Sequence, residues 1–237
     1  MTRAETLIEL SNTAYQNAQK NVSKISNDWR IMDQFSVSSK RYKLLLNNLC
    51  ALENCSYLEL GCFRGGTLLA ALSQNKVTAA YAVDNFSYDP RAFYTNPETG
   101  VNSNYNPEGW INVKMNLIEN LEKLGLDKSV KLFADNWNKI TINSIKTKLN
   151  IIHVDIPENI DKILDMYSLK FEDTVILVIS NYNETYIREQ FHSFINNNPL
   201  RFDIKYSIIN FSHSNADTDG WWNGLGLFVI ERKIVSI

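Results

Sequence analysis

The stretch that decides the fold of this chain reads Ser56-Tyr57-Leu58-Glu59-Leu60-Gly61-Cys62-Phe63-Arg64-Gly65-Gly66-Thr67. Residues 56–60 form a short, mostly apolar run with the length of a buried strand, and a glycine-rich turn follows at once. The next segment, 66–74, has the pattern of a helix. A strand, a glycine turn and a helix in this order are typical of open α/β sheets, which bind ligands beyond the carboxyl ends of their strands.

Two helices are predicted before this stretch, and strands and helices alternate from it onward. Strands are predicted at 56–60, 78–83, 130–134, 150–155, 173–180, 202–210 and 225–234. Helices are predicted at 2–20, 40–52, 66–74, 111–124, 139–148, 158–169 and 184–196. This alternation predicts an α/β fold with a doubly wound, mostly parallel, seven-stranded sheet. Because no helix separates the two final strands, we expect the last strand to be antiparallel.

The pattern also suggests how the chain is organised. Residues 1–52 are predicted to form an N-terminal helical cap, and residues 53–237 the main domain. The segment 86–110 is rich in proline and aromatic residues and is longer than a compact connection. We interpret it as a lid-like insertion over an organic substrate, or as a loop that packs on the domain or on a second subunit.

Composition excludes several classes of function. The 237 residues carry 24 Lys and Arg against 26 Asp and Glu, so the chain lacks the basic excess of a general nucleic-acid binder. No apolar run is long enough to span a membrane, and the N-terminal residues do not resemble a signal peptide. We therefore expect a cytoplasmic protein whose three cysteines are reduced, with no membrane or nucleic-acid partner. A homodimer is compatible with the sequence.

The spacing of the glycines separates this turn from two common phosphate-binding loops. A dinucleotide-binding turn needs a glycine where Phe63 stands, and no Gly-Lys-Ser/Thr follows as in a P-loop. The carboxylate of Glu59 argues against a pyrophosphate ligand and favours one with a cationic or hydroxyl group. Gly61, Gly65 and Gly66 would let such a ligand approach the backbone and the start of the next helix.

Two further acids end strands at the same edge of the predicted sheet. Asp84 follows the second strand, where a carboxylate can accept hydrogen bonds from both hydroxyls of a ribose. Asp135 follows the third strand and could reach an adenine amino group. The alternatives are an ordinary strand-end residue for Asp84 and a solvated acid beside Asn136 for Asp135.

Together these residues resemble the class I S-adenosylmethionine (SAM)-dependent methyltransferases. Residues 59–65 resemble the first motif of that family, and Asp84 its ribose-binding acid. Within it, the chain is similar to methyltransferase family 24, related to sugar and macrocin-type O-methyltransferases. The phrases that carry this likeness are Val83-Asp84-Asn85-Phe86-Ser87, His153-Val154-Asp155, Asn181-Tyr182-Asn183-Glu184 and Trp221-Trp222-Asn223-Gly224. The resemblance implies a Rossmann-like methyltransferase domain with SAM bound by Glu59, Gly61, Phe63, Gly65, Gly66, Asp84, Asn85 and Asp135.

The resemblance also implies where the chemistry takes place. Metal-dependent relatives hold a divalent cation such as Mg²⁺ with an Asp after strand four and an acidic pair after strand five, which points to Asp155 and Asn181. Ser180 stands where one of the carboxylates is expected. Candidate catalytic residues are His153, Asp155 and Glu158. The alternatives are a core histidine with a satisfied hydrogen bond for His153 and a first-turn helix acid for Glu158.

The sequence thus predicts methyl transfer from SAM to a small molecule, for instance to a hydroxyl of a sugar. A second hypothesis, motivated by Ser180, is a catalytically degenerate protein of the same fold that binds a nucleoside ligand or a protein partner. A third is a nucleotide-dependent oxidoreductase, against which Phe63 counts.

Overall fold

A computed structural model describes residues 1–32, 38–87, 113–198, 200, 202–211, 220, 221 and 223–233. The strands are β1 (Ser56–Leu60), β2 (Ala79–Val83), β3 (Val130–Phe133), β4 (Leu149–Val154), β5 (Phe171–Ser180), β6 (Phe202–Asn210) and β7 (Leu225–Arg232). The helices are α1 (Arg3–Gln19), α2 (Trp29–Met32), α3 (Lys40–Leu49), α4 (Gly66–Leu72), α5 (Val113–Lys123), α6 (Ile160–Ser168) and α7 (Thr185–Asn197). The predicted lid at 86–110 lies almost entirely outside the described residues.

The strands form one seven-stranded sheet in the order β3-β2-β1-β4-β5-β7-β6. Neighbouring strands from β3 to β5 are parallel, whereas β7 runs antiparallel to both β5 and β6. This confirms the predicted fold class. The chain leaves β1 toward β2 on one side and reaches β4 on the other, so the switch point of the sheet lies between β1 and β4.

One predicted element is wrong. The segment 139–148, expected to be helical, contains a short 3₁₀ turn at Ile142–Ser144 instead. Its β-branched residues disfavour a helix. The backbone N–H of Lys146 donates to the Tyr81 hydroxyl at 3.1 Å, and Ile145 is fully buried. Tertiary contacts therefore replace the helical hydrogen bonds.

The sheet separates two hydrophobic cores, because side chains along a strand alternate between its faces. Tyr57 points to one face and Leu58 to the other, and the same alternation holds along β4 and β5. The first core is covered by α1, α3, α4 and α5, and the second by α6 and α7. The N-terminal helices α1 and α3 therefore share one continuous core with the sheet.

Aromatic contacts join these N-terminal helices to the segment before β7. The indole of Trp221 stacks on Tyr15 of α1 at 5.3 Å and meets Tyr42 of α3 edge-on at 5.4 Å. The Tyr42 hydroxyl also donates to the Gly224 carbonyl oxygen at 2.6 Å. The turn before β7 is thus fixed by two helices from the other end of the sequence.

A capping box begins α1. The Thr2 hydroxyl accepts a hydrogen bond from the Glu5 backbone N–H at 3.2 Å, and the Glu5 carboxylate accepts one from the Thr2 N–H at 2.7 Å. Loss of such a cap costs about 1 kcal/mol. We expect Thr2→Ala to lower the free energy of unfolding, measured by urea denaturation, by about that amount. The matched control is Thr13→Ala on the exposed face of the same helix, which should change stability little. Equal effects of the two variants would contradict the role of the cap.

Within the described residues, no helix has both the length and the apolar character needed to cross a membrane.

Candidate active site

A cavity of about 580 Å³ lies at the carboxyl ends of the parallel strands. Its size is within the usual range for small-molecule sites. Its walls include the following residues that the sequence singled out: Gly61, Phe63, Asp84, Asn85, Asp135, Asp155, Glu158 and Asn181. Four other candidates, namely Glu59, Gly65, Gly66 and His153, are buried and do not line it.

Gly61 brings the backbone after β1 against the backbone after β4. Its φ of +86° lies in the left-handed region, and a Cβ placed there would overlap the Asp155 carbonyl oxygen. The Asp155 N–H also donates to the Leu60 carbonyl oxygen at 2.8 Å. The close approach at the switch point therefore needs a residue without a side chain. Gly65 and Gly66 lie further on, at the start of α4.

Asp84 holds the glycine turn in shape. Its Oδ2 accepts a hydrogen bond from the Phe63 N–H at 2.8 Å, and its Oδ1 accepts one from the Phe86 N–H at 2.7 Å. The side chain is buried but borders the cavity. Asp84 thus connects the turn after β1 to the segment after β2 and also faces any ligand between them.

Asn85 and Asp135 form the outer wall of the cavity. The Asn85 side-chain amide donates to Asn136 Oδ1 at 2.7 Å. Asp135 is exposed and lies 3.5 Å from the Lys139 ammonium group. Trp137, which the sequence reading did not single out, borders the same part of the cavity.

Glu59 is engaged by protein groups behind the turn. Its Oε1 accepts a hydrogen bond from Thr67 at 2.8 Å, and its Oε2 accepts one from the Tyr57 hydroxyl. His153 Nδ1 lies 3.5 Å from Oε2. Both carboxylate oxygens of Glu59 contact other protein side chains, and Glu59 does not line the cavity. In this geometry Glu59 therefore does not make the direct contact with a ligand in the cavity that the sequence had predicted.

His153 is fully buried between neighbouring strands. Its Nε2 is 2.9 Å from the Ser180 hydroxyl, and its other nitrogen faces Glu59. Burial by itself lowers the pKa of this imidazole, but the Glu59 and Asp155 carboxylates outweigh burial and raise it above the usual value. His153 does not line the cavity, so a direct contact with an acceptor is not available to it in this geometry.

Asp155, at the end of β4, lines the cavity. Burial raises its pKa to about 6, although His153, Ser180 and Asn181 each act to lower it. Its Oδ1 accepts a hydrogen bond from the Asn181 amide at 3.0 Å. A group with this pKa is mostly ionised at neutral pH and is suited to take up a proton.

Next to Asp155, the cavity is lined by residues that follow β5 and by Asn223, which precedes β7. Asn223 donates to Asn181 Oδ1 at 3.1 Å and to Glu184 Oε1 at 3.3 Å. Tyr186 and Glu158 lie at the exposed rim. Burial raises the pKa of Tyr186, and the nearby Glu184 and Glu158 raise it further. Sequence reasoning did not assign Asn223, Glu184 or Tyr186, because only the folded sheet brings them to the same cavity as Asp155.

The residues do not fit the expected Mg²⁺ site. A magnesium ion needs several oxygen ligands directed to one point. Asn181 instead donates its amide to Asp155 and turns its oxygen to Asn223, and the neighbouring position is Ser180. Among the described residues, no group of three or more His, Cys, Asp or Glu side chains is arranged to hold a metal ion.

The cavity is strongly acidic. Among the described residues, five carboxyl side chains line it, those of Asp84, Asp135, Asp155, Glu158 and Glu184. Its described lining contains no Lys, Arg or His. This charge favours a cationic ligand and disfavours one that carries phosphates.

No protein-family model matches the chain, and no curated protein matches it significantly. Solved structures do match it. An O-methyltransferase from Streptomyces achromogenes involved in tomaymycin synthesis, solved in complex with SAM, is 13% identical, with a TM-score of 0.56 over 98% of this chain and 99% of that one. A cofactor-bound protein from MTB is 13% identical, with a TM-score of 0.55 over 94% and 90% of the two chains. A candidate RNA methyltransferase from Pyrococcus horikoshii is 14% identical, with a TM-score of 0.51 over 99% and 100%.

Identities this low show the fold alone. The seven-stranded sheet with its antiparallel β7 is therefore the Rossmann-like fold that this chain shares with these proteins. One of them is described as a candidate RNA methyltransferase and another as an O-methyltransferase of tomaymycin synthesis, so the choice of acceptor must be argued from the cavity itself.

Proposed function

We propose that this protein transfers a methyl group from SAM to a hydroxyl of a small molecule, such as a sugar or a related metabolite. The observation that carries the proposal is the acidic cavity at the switch point of a methyltransferase-like sheet. SAM carries a sulfonium and an ammonium group, so carboxylates around it are favourable. The likeness to an O-methyltransferase over nearly the whole chain supports the same assignment.

Residues on three sides of the cavity would hold the cofactor. Asp84 fixes the turn and borders the cavity, where its carboxylate would accept hydrogen bonds from the ribose hydroxyls. Asp135 and Asn85 would lie around the base, and Gly61 lets the ligand approach the backbone. Glu59, Gly65 and Gly66 do not line the cavity, so they would act by fixing the shape of the glycine turn rather than by touching the cofactor. Since the described residues fit the cofactor but not Mg²⁺, we propose a transfer that needs no metal ion.

The acceptor would bind on the side of Asp155. The cofactor supplies an electrophilic methyl group, and the protein's part is to hold the acceptor oxygen in line with it and to take up the hydroxyl proton. Asp155 borders the cavity and has a suitable pKa of about 6. Glu158 is more exposed to solvent than Asp155, so we assign it to acceptor binding at the rim of the cavity.

We also propose a cellular compartment, a domain organisation and an assembly for this protein. We place it in a reducing compartment such as the cytoplasm, which agrees with three buried free thiols at Cys50, Cys55 and Cys62. We keep residues 1–52 as a helical cap to the main domain, and a homodimer as the proposed assembly. We propose no nucleic-acid partner, because the acidic lining disfavours phosphates.

A second function has one observation in its favour. Ser180 and the Asn181–Asp155 hydrogen bond replace a metal-binding pair, as they would in a protein of this fold that binds a nucleoside ligand but has lost catalysis. An active methyltransferase would convert an acceptor into a methylated product, whereas a protein that only binds a nucleoside ligand would not.

Calorimetric titration with SAM and with its demethylated product tests the proposal. We expect both to bind with micromolar dissociation constants, and NADH to give no heat because of its pyrophosphate. Absence of SAM binding at millimolar concentration would overturn the proposal. Transfer of labelled methyl groups to a panel of sugars then separates the two functions, since binding without transfer to any acceptor favours the second.

A further inference from the structure

Asn223, in the turn before β7, lines the cavity and has a tightly held backbone. Its φ of +50° lies in the left-handed region, which asparagine tolerates better than most residues. Its carbonyl oxygen accepts a hydrogen bond from the Asn183 N–H at 3.0 Å. The next residue, Gly224, has a φ of +85°, and a Cβ there would overlap Asn183. The backbone around Asn223 is therefore packed closely against the segment that follows β5.

Tyr42 of α3 anchors this turn from the N-terminal part of the chain. Its hydroxyl donates a hydrogen bond to the Gly224 carbonyl oxygen at 2.6 Å, across a sequence separation of 182 residues. The buried Tyr42 ring also meets the Trp221 indole edge-on at 5.4 Å, and the Trp221 carbonyl oxygen accepts a hydrogen bond from the Gly224 N–H at 2.8 Å. Neither Tyr42 nor Trp221 lines the cavity, so both act on it through the turn that carries Asn223.

The side chain of Asn223 belongs to a row of amides whose direction is fixed by carboxylates. The Asn181 Nδ2 donates a hydrogen bond to Asp155 Oδ1 at 3.0 Å. The Asn223 Nδ2 donates one to Asn181 Oδ1 at 3.1 Å and another to Glu184 Oε1 at 3.3 Å. Ionised carboxylates only accept hydrogen bonds, so the amide nitrogens must face them. Both hydrogens of the Asn223 amide are thus used within the protein.

The oxygen of this amide is the group that Asn223 offers to a ligand. No described residue donates a hydrogen bond to Asn223 Oδ1. An amide oxygen accepts a hydrogen bond from a hydroxyl group but gives a carbonyl or ether oxygen no partner. Because an unpaired polar group in a binding site is costly, this oxygen discriminates between ligands. Asp155 lines the same cavity and is assigned to the hydroxyl that is methylated, so Asn223 is available to a second hydroxyl.

We propose that Asn223 binds the acceptor through Oδ1, by accepting a hydrogen bond from a second hydroxyl of the molecule that is methylated, and that Tyr42 is the positioning residue that holds Asn223 in place. The inference rests on the proposed function. It narrows the substrate class to molecules with at least two hydroxyl groups, as sugars have. Neither role extends to SAM, because the side chains proposed to hold its ribose and base follow β2 and β3.

The anchoring of Asn223 can be measured without an acceptor. In a sample labelled with ¹⁵N-asparagine, the NMR signal of the Asn223 side-chain amide is identified by its loss in Asn223→Asp. We expect slow exchange of these hydrogens with solvent, because both are bound, and exchange about tenfold faster in Tyr42→Phe, which loses only the hydroxyl. Calorimetry should give the same SAM affinity for Tyr42→Phe and wild type. The matched control Tyr167→Phe removes a buried hydroxyl that has no hydrogen-bond partner among the described residues, and it should change neither quantity.

The acceptor contact is measured in the kinetics of transfer. Asn223→Gly removes the side chain without straining the left-handed backbone. With a sugar that the labelled-methyl assay identifies, we expect the KM for the sugar to rise about tenfold, the effect of one lost hydrogen bond, and the KM for SAM to stay unchanged. Monodeoxy forms of the same sugar identify the second hydroxyl. One of them should have a raised KM with wild type and lose nothing further with Asn223→Gly, a pairing that general destabilisation does not produce.

Two results would overturn the inference: equal exchange rates of the Asn223 amide in wild type and Tyr42→Phe, or an unchanged acceptor KM in Asn223→Gly. If Asn223→Gly does not fold, Asn223→Asp replaces it, since it has the same size but cannot donate to Asn181 or Glu184 and should raise the acceptor KM as well. Failure of the proposed function has a different signature. No SAM binding, or binding without transfer to any sugar, refutes the function, whereas transfer with an unchanged acceptor KM in Asn223→Gly refutes the inference alone.

Discussion

Replacing Gly61 by alanine should weaken SAM binding more than any other single substitution considered for this cavity. The added Cβ would overlap the Asp155 carbonyl oxygen, and the φ of +86° is itself unfavourable for alanine by about 1–2 kcal/mol. The backbone after β1 or after β4 must therefore move, and both border the cavity. We expect an affinity loss of at least about 100-fold in calorimetry, because displacements of about 1 Å at a binding site have effects of this size.

Gly125→Ala is the matched control. Gly125 also has a positive φ, of +67°, but a Cβ there would meet no atom within 4 Å. Gly125→Ala should therefore introduce a similar backbone strain, which lowers the midpoint of thermal unfolding, but it should leave the affinity for SAM unchanged. If both variants lose affinity equally, the effect comes from general destabilisation and not from the approach of the two strand ends.

Replacing Asp84 by alanine should have the second largest effect. The substitution removes the acceptor of two backbone N–H groups, those of Phe63 and Phe86, and the carboxylate offered to the ligand. Hydrogen bonds to charged groups contribute about 1.5–3 kcal/mol each. We expect an affinity for SAM that is lower by about 100-fold or more, together with reduced stability in urea denaturation.

Two further variants separate the causes. Asp84→Asn keeps one acceptor oxygen but places an N–H₂ group near a second donor, so its affinity should fall between those of wild type and Asp84→Ala. Asp135→Ala removes an exposed carboxylate from the same cavity and should change affinity only a few-fold. An Asp135→Ala loss as large as that of Asp84→Ala would mean that net charge, not the geometry of the turn, governs binding.

The fold was predictable because its determinants are local. Apolar runs, the glycine turn and the missing helix before β7 are all visible in the sequence, and they suffice for a mostly parallel seven-stranded sheet with an antiparallel last strand. The order of the strands, with β7 between β5 and β6, was not predicted. The segment 139–148 was mispredicted because its backbone bonds to Tyr81, a partner about 65 residues away in the sequence. Such contacts leave no periodic signal.

The site was predictable only in part, for a related reason. Gly61, Asp84 and Asp155 follow strands directly, so their position at the carboxyl edge follows from the strand assignments. The roles of Glu59 and His153 depend on which residues face each other across β1 and β4, and register is not encoded locally. Asn223 is brought to the cavity by Tyr42 and Trp221, which are distant in sequence.

The position of β7 between β5 and β6 has a consequence for synthesis on the ribosome. Translation delivers β6 before β7, yet β6 has no neighbour in the sheet until β7 is inserted beside β5. Until then, β5 and β6 both present open edges, the kind of surface that chaperones shield and that associates wrongly with other chains. The nascent protein can therefore assemble five strands early but cannot close its ligand cavity, because Asn223 arrives only with the strand that comes last.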